Sequence, residues 1–160
     1  LTLEQTTSQH PNTPLEIERF SYFYKDSLTS LYSPGYLNYL FLEPDFKKYI
    51  KLHFITLHHM NQLNKQHGWD KGDELLKRYA QMLQTRTPED PIIRFQGDDF
   101  IIFKTSSDDI DIATDYTPEW LNQYGISVSC QEFRIDDLKI ETLEAFQAIL
   151  TQTAFDHYKL

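Results

Sequence analysis

The chain is poor in cysteine, with one residue, Cys130, in 160. That excludes an internal disulfide framework and a multi-thiolate zinc site, and it fits a reducing compartment. Basic side chains are scarce too, 15 Lys and Arg against 24 Asp and Glu, for a formal net charge of −9. Binding along a nucleic-acid backbone draws on clustered Lys and Arg that release counterions, and no such cluster occurs, so nucleic acid is not expected as a partner. A phosphate ligand remains compatible with the acidic balance, because a helix N-terminus or a local lysine acts through the local field rather than the total charge. No apolar run approaches the roughly 18 residues of a membrane span, so no membrane contact by this domain itself is expected. No signal peptide, repeat or low-complexity segment is visible in this stretch, and the chain begins at Leu1 rather than methionine. The expectation is a domain excised from a longer multidomain protein, cytoplasmic or the cytoplasmic part of a membrane-anchored one.

What is present is a core. The apolar share is 40% and the aromatic share 14%, which fits one compact domain. Residues 1–13, "LTLEQTTSQHPNT", are polar and without helical period, and read as a linker or disordered arm, with the domain at 14–160. Ile17, Phe20, Phe23 and Tyr24 recur at helical spacing, and a second short helix is expected from Tyr36 to Leu42. The stretch "KKYIKLHFITLHHM" is nearly continuous in apolar and β-branched residues, the pattern of a strand buried on both faces. From Asp70, a candidate N-cap, the residues Leu75, Leu76, Tyr79, Ala80 and Leu83 mark a helix. Ile92–Phe95 and Phe100–Phe103 flank "QGDD" as a hairpin whose loop uses Gly97. A helix over Pro118–Gln123, a strand in "ISVSCQEF" and a final helix through Leu138, Leu143, Phe146, Ile149 and Leu150 complete an α/β pattern, a mixed sheet flanked by helices.

Four stretches in order resemble the GGDEF domain of bacterial diguanylate cyclases, which joins two GTP molecules into cyclic di-GMP. "DSLTSLYSPGYL" resembles the family's D-x-L-T-G-L-x-N-R motif through Asp26, Leu28, Thr29 and Leu31. "NKQHGWDKGDELLKRYA" keeps Asn64, Gly68, Gly72, Asp73, Leu76 and Ala80 at the family's spacing. "RFQGDDF" stands where R-Y-G-G-D-E-F would be, and "AFDHYK" resembles A-L-Y-x-A-K, putting Lys159 at a phosphate-binding position. The resemblance implies a central sheet of about five strands, like nucleotidyl cyclases and polymerase palms, with the signature Gln96, Gly97, Asp98, Asp99 and Phe100 on a β-hairpin. It also implies guanine recognition by Asn64 and Asp73, whose groups suit the guanine edge.

The departures from the pattern concern the chemistry. In the family, two divalent ions are held by an Asp ending the first strand and by the third signature residue. Counted back from Asn64, that strand position is Thr56, a neutral hydroxyl where Mg²⁺, a hard ion, wants an anionic oxygen. Asp98 keeps the signature metal position, and Asp99 replaces the catalytic Glu with a shorter acid. Gln96 stands for the first signature glycine, where its side chain is expected to narrow the phosphate pocket. His58, Met60 and Asn61 replace a second Asp, a Phe and a phosphate-facing Lys at the end of the first strand and just beyond it. Trp69 replaces the histidine after Gly68, and Gln131 a glycine after Ser129. At the family's R-x-x-D inhibitory site, Asp90 matches the Asp, while Thr87 holds the Arg position and Arg86 lies one residue early.

The function implied is that of a degenerate GGDEF domain, catalytically inactive, acting as a regulatory, nucleotide-sensing or interaction module in cyclic di-GMP signalling. The alternative is an active cyclase using Asp98 and Asp99. Implied partners are GTP or cyclic di-GMP, the other domains of the full-length protein and a second copy of the chain. Mg²⁺ enters only with a nucleotide. A zinc site from His53, His58, His59 and His67 is set aside, because strand alternation sends His58 and His59 to opposite faces.

Overall fold

The computed structural model describes residues 12–105 and 115–159, so most of the expected arm, residues 1–11, lies outside the described residues. Thr13 is not part of a loose arm but the N-cap of α1 (Pro14–Tyr24), its hydroxyl accepting from the Glu16 amide at 3.1 Å. Pro14 follows at the first helical position, where its missing N–H costs nothing. Then come α2 (Tyr36–Leu42), a 3-10 turn (Phe46–Lys48), β1 (Lys51–His58), α3 (Met60–His67), α4 (Trp69–Arg86), β2 (Ile92–Arg94) and β3 (Asp99–Lys104). A 3-10 helix (Glu119–Tyr124), β4 (Ser127–Arg134), α5 (Ile135–Leu138) and α6 (Leu143–Tyr158) complete the order.

The strands order β2-β3-β1-β4, each neighbouring pair antiparallel. Among the described residues the sheet has four strands rather than about five; the fifth was implied by resemblance alone. The parallel component of the expected mixed sheet reduces, among the described residues, to a single bridge, Tyr32 to Ile93.

β1 is buried on both faces, as its nearly continuous run of apolar and β-branched residues predicts. Ile55 and Leu57 point to one core with Leu75, Leu76, Tyr79 and Leu83 of α4. Leu52 and Phe54 point to the other, with Leu37 and Leu40 of α2 and Phe146 and Leu150 of α6. Each such side chain stabilises the fold by about 1.5–3 kcal/mol on burial. The alternation puts Thr56 on the α6 face and His53 on the α4 face.

Four boundaries differ from expectation. The chain leaves β1 through His59 at φ 75 and turns directly into α3, a helix whose buried residues are only Met60 and Leu63 and which the strand's apolar run masked. Asp70 lies in the first turn of α4 and does not cap it, because Gly68 at φ 87 separates α3 from α4 and takes the cap position. The expected helix at Pro118–Gln123 is a 3-10 helix closed by Gly125 at φ 71, and the final helix is broken at Lys139, φ 50.

Candidate functional site

The β2–β3 hairpin carries the acidic pair, and its geometry comes from a few backbone bonds. The Phe95 amide donates to the Asp99 carbonyl at 2.8 Å and the Asp99 amide to the Gln96 carbonyl at 2.7 Å, closing the turn around Gly97, whose φ of 42 suits glycine. Arg94 fastens the loop from below, Nε donating to the Gly97 carbonyl at 2.8 Å while Nη1 reaches Asp26 at 3.1 Å. The same Asp26 carboxylate accepts from the Thr29 amide and hydroxyl at 2.9 and 2.7 Å. Burial works against the Asp26 anion, but Thr29 and Arg94 outweigh it and hold the carboxyl below its ordinary value. The N-terminal D-x-L-T motif therefore acts as a brace for the signature hairpin.

The hairpin is zipped to β1, the Leu57 amide donating to the Asp98 carbonyl at 3.0 Å. Thr56 is the direct cross-strand partner of Asp99 on one side and of Ser129 on the other. Its hydroxyl donates to Asp99 Oδ1 at 2.8 Å and lies 2.8 Å from Nδ1 of His157. His157 comes from the last turn of α6, edge-on to Phe54 at 5.3 Å, with Nε2 3.3 Å from the Gln131 side-chain amide. Thr56, Asp99 and His157 are 6%, 7% and 6% exposed. Burial pushes the Asp99 carboxyl up to about 6, with Asp98 adding to the rise and Thr56 opposing it. Burial also raises Asp98, against the attraction of Arg94, and lowers His157.

Above this floor opens a cleft of about 670 Å³ between the hairpin, the end of β1 and α6, which takes in Thr56, Gln96, Gly97, Asp98 and Asp99. Gln96 stands at its rim, and the aromatic side chains of Phe155 and Tyr158 form the α6 wall. Of the expected site residues, Asn64 and Asp73 sit outside the cleft lining, at the α3–α4 junction. There the Asn64 amide lies so close over Gly72 that a Cβ on the glycine would meet Oδ1 at 1.9 Å. That Oδ1 is buried without a hydrogen-bond partner. Phe100 is core, fully buried against Tyr79 at 5.3 Å. Lys159 is exposed, its ammonium over the Phe155 ring at 4.3 Å, outside the cleft lining. Asp90 forms an ion pair with Lys104, and Arg86 donates to the Asp115 carbonyl, so the two do not converge.

His53 is wholly buried, its ring nitrogens 2.6 Å from the Tyr116 hydroxyl and 2.8 Å from Glu132. His58 lies 2.6 Å from the Ser129 hydroxyl. Among the described residues no three His, Cys, Asp or Glu side chains are grouped to hold a metal. Sequence reasoning missed His157, which continues the buried stripe Phe146, Leu150 and Ala154 of α6. The helical period, carried one turn further, points to it.

A family model described as diguanylate cyclase, GGDEF domain, matches residues 24–135. Comparison with curated proteins gives no match. Among solved structures, a diguanylate cyclase/phosphodiesterase from Caldicellulosiruptor saccharolyticus is 19% identical, with 73% of this chain and 78% of that chain covered at a TM-score of 0.57. A sensory box/GGDEF family protein from Caulobacter crescentus is 22% identical, with 84% and 97% covered and a TM-score of 0.59. Vibrio cholerae LapD, as S helix-GGDEF-EAL bound to c-di-GMP, is 14% identical, with 84% of this chain but 34% of that longer chain covered and a TM-score of 0.62. At these identities the likeness is one of fold.

Proposed function

Because the chain belongs to the diguanylate cyclase GGDEF domain family, we propose that it is a degenerate member, catalytically inactive, serving as a regulatory and nucleotide-sensing module in cyclic di-GMP signalling. The observation that carries this reading is the Thr56 hydroxyl, which stands at the strand position of the metal-binding Asp and is already committed to Asp99 at 2.8 Å. Two divalent ions on a triphosphate need anionic oxygens from both the strand and the hairpin. Here the hairpin keeps Asp98 in the cleft lining, but the strand that should supply the second anionic oxygen offers a neutral one, and Asp99 beside it is engaged by Thr56. The donor set does not fit the ions, and no step of chemistry is derived through them.

Guanine sensing is supported by the unpartnered Asn64 Oδ1. A buried acceptor without a donor costs about 1–3 kcal/mol, which a small turn of the amide onto a guanine N–H would relieve. Asp73, one residue beyond Gly72, offers a second acceptor for the same edge. LapD, whose structure holds c-di-GMP in a longer chain with an EAL domain, supports the idea that this domain works beside others with cyclic di-GMP as ligand; GTP, a second copy of the chain and a place in the cytoplasm belong to the same proposal.

The test is direct. The purified domain, incubated with GTP and Mg²⁺ or Mn²⁺, is expected to form no cyclic di-GMP, and robust turnover refutes the inactive reading. Calorimetry is expected to show GTP binding that ATP does not share; equal binding of both, or of neither, refutes the sensing role.

A further inference from the structure

The neutral hydroxyl at position 56 does not stand alone. A threonine alone would give Asp99 one neutral donor and nothing more, yet behind Thr56 stands an imidazole that belongs to another element. His157 is 6% exposed, its Nδ1 lies 2.8 Å from the Thr56 oxygen, and its Nε2 lies 3.3 Å from Gln131 Oε1 of β4. Thr56 has one hydroxyl hydrogen, which goes to Asp99. Its oxygen then accepts from Nδ1–H, so the polarity runs from His157 through Thr56 to Asp99, and the Gln131 amide must turn its nitrogen toward Nε2, which is an acceptor in the neutral ring.

We infer that His157 closes this end of the cleft from behind: its N–H, relayed by Thr56, gives Asp99, the neighbour of the signature metal position Asp98, a buried donor in place of an ion held by a carboxylate at position 56. Threonine and histidine thus act as one hydrogen-bonded unit. The inference rests on the reading of the cleft as a GGDEF site without its strand carboxylate, and goes beyond it by naming what stands behind Thr56. A carboxylate restored at position 56 therefore does not by itself restore a metal site. Such a carboxylate would lie across the strand from Asp99 and within hydrogen-bond reach of His157. The imidazole is already in place and needs no dehydration, whereas a hard divalent ion gives up its water reluctantly. The new acid is claimed by the histidine.

Mn²⁺ is the probe, with free ion followed by electron paramagnetic resonance in the absence of nucleotide, for the wild type, Thr56→Asp, His157→Ala and Thr56→Asp/His157→Ala. The double variant is expected to bind Mn²⁺ saturably and at least tenfold more tightly than Thr56→Asp, and Mn²⁺ is expected to raise its melting temperature at concentrations that leave Thr56→Asp unmoved. Equal affinities for the two, or a folded double variant that binds no better, overturn the inference. Should alanine at 157 prevent folding, Thr56→Asp/His157→Ser is measured in its place. Nitrogen NMR of the wild-type chain gives an arm free of variants: the His157 ring is expected to carry its proton on Nδ1, and a neutral ring protonated on Nε2 overturns the relay. Cyclic di-GMP formation by the wild type would refute the inactive reading, while the nucleotide-free Mn²⁺ comparison judges the role of His157 separately.

Discussion

Replacing Asp99 by asparagine is expected to stabilise the domain, even though Asp99 occupies the catalytic position of the family's signature. The carboxyl is 7% exposed, and burial moves it from an ordinary value of 3.8 to about 6. At roughly 1.4 kcal/mol for each tenfold change in proton affinity, that rise corresponds to about 3 kcal/mol of cost for carrying the anion in the native state. Below about pH 4 Asp99 is protonated whether the chain is folded or not, and the cost is absent. Between about pH 4 and 6 the folded chain keeps a proton that the unfolded chain has released, so stability falls as the pH rises, and above about pH 6 the full cost is present. Asparagine keeps the acceptor for the Thr56 hydroxyl and carries no charge. Urea unfolding of both chains from about pH 4 to about pH 8 measures this: the variant is expected to match the wild type at the acid end and to exceed it by about 2–3 kcal/mol at the alkaline end. A variant equal to or weaker than the wild type at the alkaline end would refute the account of Asp99 as a buried carboxylate without a full counter-charge.

Thr56→Val preserves shape but removes the hydroxyl between Asp99 and His157, leaving two buried polar groups short of a partner; urea unfolding at neutral pH is expected to show a loss of about 2–4 kcal/mol. Gly72→Ala places a Cβ where it would meet Asn64 Oδ1 at 1.9 Å, so the amide must leave its slot. GTP affinity by calorimetry is expected to fall at least tenfold with the helical circular dichroism unchanged, and undiminished binding would detach Asn64 from nucleotide recognition. Asp26→Ala strips Arg94 and Thr29 of their common acceptor and is expected to destabilise the domain by about 2–4 kcal/mol, with hydrogen exchange quickening first at the Phe95 and Asp99 amides. Unchanged exchange there would show that the hairpin does not depend on its brace.

The parts of the fold legible in sequence are those whose burial is set by local pattern. The apolar run of β1, the hairpin around Gly97 and the 3.6-residue period of α4 each state which face meets the core. α3 was hidden because its chain break, His59 at φ 75, has no residue signature, and because Met60 extends the apolar run of the strand before it. The site was legible as a set of substitutions, Thr56, Gln96 and Asp99 among them, and not as an arrangement. Whether Thr56 meets Asp99 or a neighbour depends on register between strands 43 residues apart in sequence, and the sequence interval carries no register. His157 lies 101 residues from Thr56, close in sequence to Lys159, whose charge promised a phosphate contact but whose ammonium stacks on Phe155. A charged residue advertises its chemistry in sequence wherever it lies; a buried histidine on an apolar stripe shows its role only once the strand it faces is known. For that reason the substitution at position 56 looks like a simple deletion of a ligand in one dimension and a repacked hydrogen-bond centre in three. In such a centre each member takes a donor or an acceptor from the others, so a change at one position is felt at all three.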